Sequence, residues 1–315
     1  MFKGVNYVGI GVSDMGRARR FYGDMLGFKE VLFEYEGPLP GMEKITGKPE
    51  IRAKVVMLKN QNIGPVGLAM IKLVELLPPD KAEPVTAGLT RIWGDIGLAE
   101  VCFNCIDTTG VFKELVGKGV KAALTPASAA AGPFNATANY AYLRDPDNGL
   151  VELIHWSECV TYGEGPRTEG VNHVGFGVSD MKTSERFYRQ LGFTQVVQGG
   201  KVSSADMAGM STMLPSPPPN LDIQVLANYY GAWIEPLQLL PPHKPSPYRG
   251  TCMHLGPMEF AIEVTNLEKA YEELPGKGIK FLSPPQTVEV SSGQWKYAYI
   301  AEPDNLAVSL VEPRY

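Results

Sequence analysis

Four histidines occur in the 315 residues, and one has a setting suited to chemistry. His173 lies in VNHVGFG, where alternate residues of a strand share a face, so it shares one with Gly175 and Gly177. Tyr7 has the same setting in VNYVGIG, beside Gly9 and Gly11. Glycines beside such a group let a ligand approach the backbone, or else relieve the curvature of a bent sheet. An imidazole there can hold a divalent metal or carry a proton. The other histidines offer less: His155 follows Glu152 by three and faces away from it, His243 sits in a proline-rich connector, and His254 in a loop. Cys102 and Cys105 have CxxC spacing but lie in an apolar strand-like run, not at a helix start, and read as two unrelated buried thiols. There is no Ser-His-Asp spacing, Walker loop or GxGxxG.

These residues belong to an internal repeat. VNYVGIGVSDM at 5–15 and VNHVGFGVSDM at 171–181 match at nine of eleven positions, and both continue into Arg-Phe-Tyr and Leu-Gly-Phe. Tyr140-Ala141-Tyr142 and Pro146-Asp147-Asn148 recur as Tyr297-Ala298-Tyr299 and Pro303-Asp304-Asn305. Two homologous halves are therefore expected, 1–160 and 165–315. Each half is itself double. Asp14 serves as an N-cap, Met15, Ala18, Phe21, Tyr22, Met25 and Leu26 keep helical spacing, and Gly27 stops the helix. A second strand, a helix around GVFKELVGKG, a hairpin turn at Pro-Asp-Asn-Gly and the strand LVELI follow. Four strand–helix–strand–strand–strand modules result, near 1–77, 97–156, 170–240 and 255–312, with Leu-Pro-Pro connectors inside each half.

Bulk composition narrows the classes. Hydrophobic content of 44% and charged content of 20% suit a soluble globular protein with two sizeable cores. A net charge of −5 disfavours nucleic-acid or anionic-membrane partners. The run Arg17, Arg19 and Arg20 reads as a solvated helix face, and no basic patch for glutathione or coenzyme A is visible. No apolar run approaches the roughly 18 residues of a membrane span, and the N-terminus enters a strand at once. A reduced, cytoplasmic protein, monomeric or homodimeric, acting on a small-molecule substrate is expected.

The opening strand with Gly and then Asp-Met, Phe-Tyr in the first helix, Leu-Gly-Phe at its end and the Asp-Pro-Asp-Asn-Gly turn resemble the vicinal oxygen chelate superfamily of glyoxalases, bleomycin resistance proteins and extradiol dioxygenases. The resemblance covers nearly the whole chain. It implies an α+β fold of four βαβββ modules paired into two eight-stranded open cups. It also implies ligand positions on the first and last strand of each module: Tyr7 and Glu75, Glu100 and Glu152, His173 and Gln238, Glu259 and Ser309. Pairing within halves leaves neither half with the two histidines and carboxylate that extradiol ring cleavage needs. Pairing modules two and three across the halves unites Glu100, Glu152, His173 and Gln238, a set suited to Zn, Ni, Co, Mn or Fe, and leaves the other cup degenerate.

The resemblance thus implies a glyoxalase-like lyase, isomerase or epimerase acting on a small carbonyl-containing metabolite by metal-assisted proton transfer. Glu152 or Glu100 would be the base beside His173. A metal-free variant would use Tyr7 or His173 as acid–base groups, with Glu259 orienting the imidazole. The alternatives are an extradiol-type ring-cleavage dioxygenase and a metal-free binding protein of the resistance type, its cup lined by residues such as Trp93 and Trp156.

Overall fold

The computed structural model describes residues 2–62, 69–84, 93–131, 136–157, 165–206, 209–210, 213–214, 219–245 and 253–314. The stretch 200–220, whose Met, Ser and Pro content suggests a cover over one cup, lies partly outside these residues. Each module begins with the same local device. An Asp or Asn in extended conformation caps the helix: Asp14 accepts from Arg17 N, Asp107 from Gly110 N, Asp180 from Thr183 N and Asn266 from Lys269 N. Such a cap satisfies an amide that the helix leaves unbonded, which fixes where each first strand ends.

Module one contains β1 (Phe2–Gly11), α1 (Met15–Ala18), β2 (Glu30–Pro38), the short α2 (Glu43–Thr46), β3 (Arg52–Lys59) and β4 (Met70–Leu76). The first helix does not stay regular: after one α turn it widens into a π-helical segment, Arg19–Met25, that buries Phe21 and Tyr22. Module two contains β5 (Gly97–Cys105), α3 (Thr108–Gly117), β6 (Lys121–Ala131), β7 (Ala136–Arg144) and β8 (Leu150–Trp156). Module three contains β9 (Thr168–Gly177), α4 (Met181–Gln190), β10 (Gln195–Val202), β11 (Leu221–Ala227) and β12 (Trp233–Leu239). Module four contains β13 (Gly256–Val264), α5 (Leu267–Glu273), β14 (Gln286–Val290), β15 (Gly293–Ala301) and β16 (Ala307–Arg314).

The modules pair across the halves. One eight-stranded sheet runs β14-β15-β16-β13-β1-β4-β3-β2, joining modules four and one; the other runs β10-β11-β12-β9-β5-β8-β7-β6, joining modules three and two. Antiparallel seams, β1 with β13 and β5 with β9, hold the pairs together. Each sequence half thus contributes one module to each sheet.

Strand alternation sorts the buried side chains into three bodies. Val8, Ile10, Phe103, Val174, Phe176 and Phe260 face a central core that also receives the helices, with Phe176 stacked on Phe260 at 5.6 Å between ring centroids. The opposite faces line the two curled sheets: Tyr7, Val74, Trp295, Tyr297 and Tyr299 in the first, Trp93, Cys102, Tyr140, Tyr142 and Trp156 in the second. Among the described residues no helix is long and apolar enough to cross a membrane.

Candidate metal centre and its degenerate counterpart

Four adjacent strands at the middle of the second sheet converge on one patch. Register places Glu235 of β12 and Glu100 of β5 on either side of Gly175 in β9. It places Cys102 between His173 of β9 and Glu152 of β8. His173 Nε2 lies 3.2 Å from Glu152 Oε2 and 3.4 Å from Glu235 Oε2. On the ring's other side, Nδ1 is 2.8 Å from Asn172 Oδ1, so the neutral ring keeps its proton on Nδ1 and turns Nε2 toward the carboxylates. Trp93 Nε1 donates to Glu100 Oε2 at 3.0 Å.

Burial makes this cluster costly as it stands. Glu100, His173 and Glu152 are 0%, 1% and 5% exposed. Among the described residues, their atoms Glu100 Oε1, Glu152 Oε2 and His173 Nε2 have no partner in hydrogen-bond geometry, although the first two would normally carry charge. Burial pushes the Glu100 carboxyl well above its ordinary range, and the neighbouring Glu152 and Glu235 push it further. Burial also raises Glu235, against the pull of His173. Burial alone would lower the imidazole, but Glu235 and Glu152 outweigh it and raise His173 well above its usual value. Glu100, Glu235 and His173 are thus all biased toward their protonated forms when no cation is held.

A divalent cation fits these atoms. Glu100, His173 and Glu235 each offer a ligand atom within 4.8 Å of the others, and so do Cys102, Glu152 and His173. Metal–ligand bonds of about 2.0–2.3 Å bring donor atoms to such separations. One imidazole and three carboxylates, with a thiol alongside, suit Zn, Mn, Fe, Co or Ni.

The sequence-based ligand set needs one correction. Gln238 is not in the cluster: its Oε1 accepts from Met181 N at 2.9 Å, at the start of α4. Its counterpart Glu75 does the same for Met15 N at 3.0 Å, at the start of α1. Three residues along a strand reverse the face, so the inward positions are Glu235 and Lys72. A signal for both was present, because each is a charged residue inside an apolar strand, MIKLV and WIEPL. Cys102 was also missed. The reading of buried thiols holds, since Cys102 and Cys105 are free and buried, but Cys102 shares the face of Glu100 and stands beside Glu152 and His173. His155 turns away, its Nδ1 3.0 Å from Cys105 O.

Tyr7 is not beside His173. It occupies the equivalent place in the first sheet, where Lys72, Glu259 and Ser309 stand for Glu235, Glu100 and Glu152. Here Tyr7 Oη and Ser309 Oγ are 3.3 Å apart, Tyr299 Oη donates to Glu259 Oε2 at 2.6 Å, and Lys72 Nζ pairs with Glu259 Oε1. The same ammonium lies 4.9 Å from the Tyr7 ring centroid and 4.8 Å from that of Trp295, within cation–π range. A tethered cation thus occupies this centre, and Glu259 cannot orient the His173 ring as the metal-free variant required.

The glycines have a specific task. A Cβ at Gly175 would stand 2.6 Å from Glu100 Oε1 and 2.9 Å from its Cγ; one at Gly9 would stand 2.5 Å from Glu259 Cγ. Each leaves room for the carboxylate of the adjoining strand. Gly175→Ala is expected to displace Glu100 and weaken metal affinity by roughly 10–100-fold, as losses of ligand positioning do. A calorimetric metal titration that finds unchanged affinity would contradict this role.

The family model described as Glyoxalase/Bleomycin resistance protein/Dioxygenase superfamily matches residues 4–153 and 170–310. No protein of curated function matches the sequence. Among solved structures, a point variant of glyoxalase I from Zea mays aligns at a TM-score of 0.59 with 16% identity, covering 98% of this chain and 93% of that one. A protein of Bacillus subtilis proposed to be a dioxygenase aligns at 0.60 with 11% identity, covering 100% of this chain and 86% of that one. At these identities the likeness is one of fold.

Proposed function

Because the chain belongs to the glyoxalase/bleomycin resistance protein/dioxygenase superfamily, we propose that its second sheet is the active centre of a lyase or isomerase. Its reaction moves a proton beside a carbonyl group of a small metabolite. The observation that supports this most is the convergence of Glu100 Oε1, Glu152 Oε2 and His173 Nε2, buried and, among the described residues, facing one another rather than other donors or acceptors, around a position a cation would fill. A divalent ion held by His173, Glu235, Glu100 and Glu152 would polarise a substrate oxygen and stabilise the negative charge that develops on it.

The remaining work falls to the protein's own groups. Asn172 orients the imidazole through Nδ1, and Trp93 pins Glu100 through Oε2. Glu152, which has His173 Nε2 at 3.2 Å but no indole donor holding it as Trp93 holds Glu100, is the better placed carboxylate to take a proton from substrate carbon and return it to a neighbouring atom. Aromatic walls from Tyr140, Tyr142 and Trp156 keep the surroundings apolar, which strengthens each electrostatic contact inside. Ring cleavage by the extradiol route would need a second imidazole in the cluster, and Glu100 stands where it would be. A cytoplasmic protein, with a small carbonyl compound as its partner, completes this reading.

The test is proton exchange. In D2O, with a panel of α-hydroxyaldehydes, α-hydroxyketones and thiohemiacetals, the metal-loaded protein is expected to replace the hydrogen next to the carbonyl, as read by proton NMR. His173→Ala is expected to slow that exchange by roughly 10²–10³-fold. Exchange that survives the substitution unchanged would refute the assignment, as would oxygen uptake with opening of a catechol ring.

A further inference from the structure

A concave feature that the proposed chemistry does not use lies where the first helical segment meets module two. Five cations from three separate stretches of chain ring a groove of about 380 Å³: Arg17, Arg20, Lys118, Lys121 and Arg144. This size falls within the roughly 300–1,000 Å³ of small-molecule sites. The whole chain carries a net charge of −5, so the cluster is no reflection of general basicity.

Part of this charge is balanced and part is not. Arg17 pairs with Asp147 at 2.8 Å, and Lys118 with Glu114 at 2.6 Å. Arg20 and Lys121 are exposed, and their side chains make no ion pair or hydrogen bond among the described residues. The Arg144 side chain donates to Asn148 O at 3.2 Å, and burial pushes its guanidinium below the ordinary value despite the nearby Asp145. Asp145 itself is occupied: its carboxylate accepts from Tyr22 Oη at 2.7 Å and from the Asp147 and Gly149 amides at 2.9 and 2.6 Å. Three cations thus face one space in which Asp145 is the lining carboxylate, turned to Tyr22 and two amides, and this excess of positive charge is relieved when an anion enters. Phe21 and Met25 give the same space an apolar floor.

The internal repeat shows that two of the five cations, Arg17 and Arg144, are particular to this half. By the matched motifs, the equivalent positions are Thr183, Arg186, Lys277, Lys280 and Ala301, so two of the three arginines are missing there. The patch is invisible in the linear sequence because residues 17–20, 118–121 and 144 meet only through the fold.

We infer that this groove binds a small organic phosphate, with Arg20, Lys121 and Arg144 on the phosphate and the ester's body on Phe21 and Met25. The inference is independent of the metal centre, since none of these residues touches the His173 cluster.

Calorimetric titration of the full chain with inorganic phosphate, phenyl phosphate and AMP tests it. Saturable one-to-one binding is expected, tighter for an ester than for inorganic phosphate and weaker as salt rises. Arg20→Glu combined with Lys121→Glu is expected to lower the affinity at least tenfold with thermal melting and metal-dependent proton exchange unchanged. Arg186→Glu, the matched change in the other half, is expected to leave affinity as it was. No saturable binding of any probe would overturn the inference, as would an equal loss with Arg186→Glu. Inorganic phosphate binding as tightly as both esters would overturn the organic ligand.

Discussion

Lys72→Met is expected to lower the melting temperature by on the order of 10 °C, read by circular dichroism or calorimetry. Lys72 is 1% exposed and Glu259 3% exposed, and the two form an ion pair inside the first sheet. Removing one member of a buried pair leaves the other charged in an apolar setting, at about 3–5 kcal/mol. At roughly 2–4 °C per kcal/mol for a sizeable domain, that loss gives the stated shift. Two further contacts go with it, those of the ammonium with the Tyr7 and Trp295 rings. The partner change sharpens the prediction. Adding Glu259→Gln removes the stranded charge while keeping an acceptor for Tyr299 Oη, so the double variant is expected to recover most of the loss. A single variant that melts like wild type would mean that Glu259 is held by something other than this lysine.

Glu235→Ala is expected to weaken divalent-metal affinity by at least roughly 100-fold, beyond the range that outer-sphere losses produce. It should abolish proton exchange with it. Gln238→Ala, only three residues on, is expected to spare both and to cost about 1 kcal/mol of stability, because a helix-start amide loses its acceptor. The contrast rests on strand geometry alone: the two side chains leave opposite faces of β12, one toward His173 Nε2 at 3.4 Å and the other toward Met181 N. Competition metal titrations on the two variants check it. Because protons occupy the same atoms as the metal, affinity in the wild type should fall as pH is lowered, since His173, Glu100 and Glu235 are all held above their ordinary values.

The fold was largely legible because the repeat carries its own punctuation. Asp14 and Asp180, with Met15 and Met181 after them, mark strand end and helix start in both halves, and the structure uses the carboxylates as caps. His173 was equally legible, lying inside the matched VNHVGFG with its face fixed by two glycines. The fourth ligand position was not. Its strand was located from the Leu-Pro-Pro that follows, and such an anchor leaves the phase of a seven-residue strand open. A slip of three residues then exchanged Glu235 for Gln238 and Lys72 for Glu75. Hydrophobic pattern offers little correction, because both faces of β4 and β12 are largely apolar.

Module pairing was left open for a different reason. Nothing local in GLAEVCFNC or TEGVNHVGFG says that β5 and β9 will lie side by side. The seam is a long-range antiparallel pairing whose reward appears only when both cores close. The tethered cation of the first sheet was hidden similarly. A lysine inside the apolar run MIKLV marks a position out of pattern, but only the fold sets it against Glu259 and two aromatic rings.

The chain is expected to hold one metal ion, in a site built across the halves around His173, and none in the sheet where Lys72 stands in its place. Elemental mass spectrometry of tag-free protein, after incubation with Zn, Mn, Co, Ni or Fe and desalting, tests it most directly. About one equivalent of metal per chain is expected, falling to near zero in His173→Ala. Close to two equivalents would mean that the first sheet also loads metal despite its lysine. No bound metal after every incubation would contradict the claim outright.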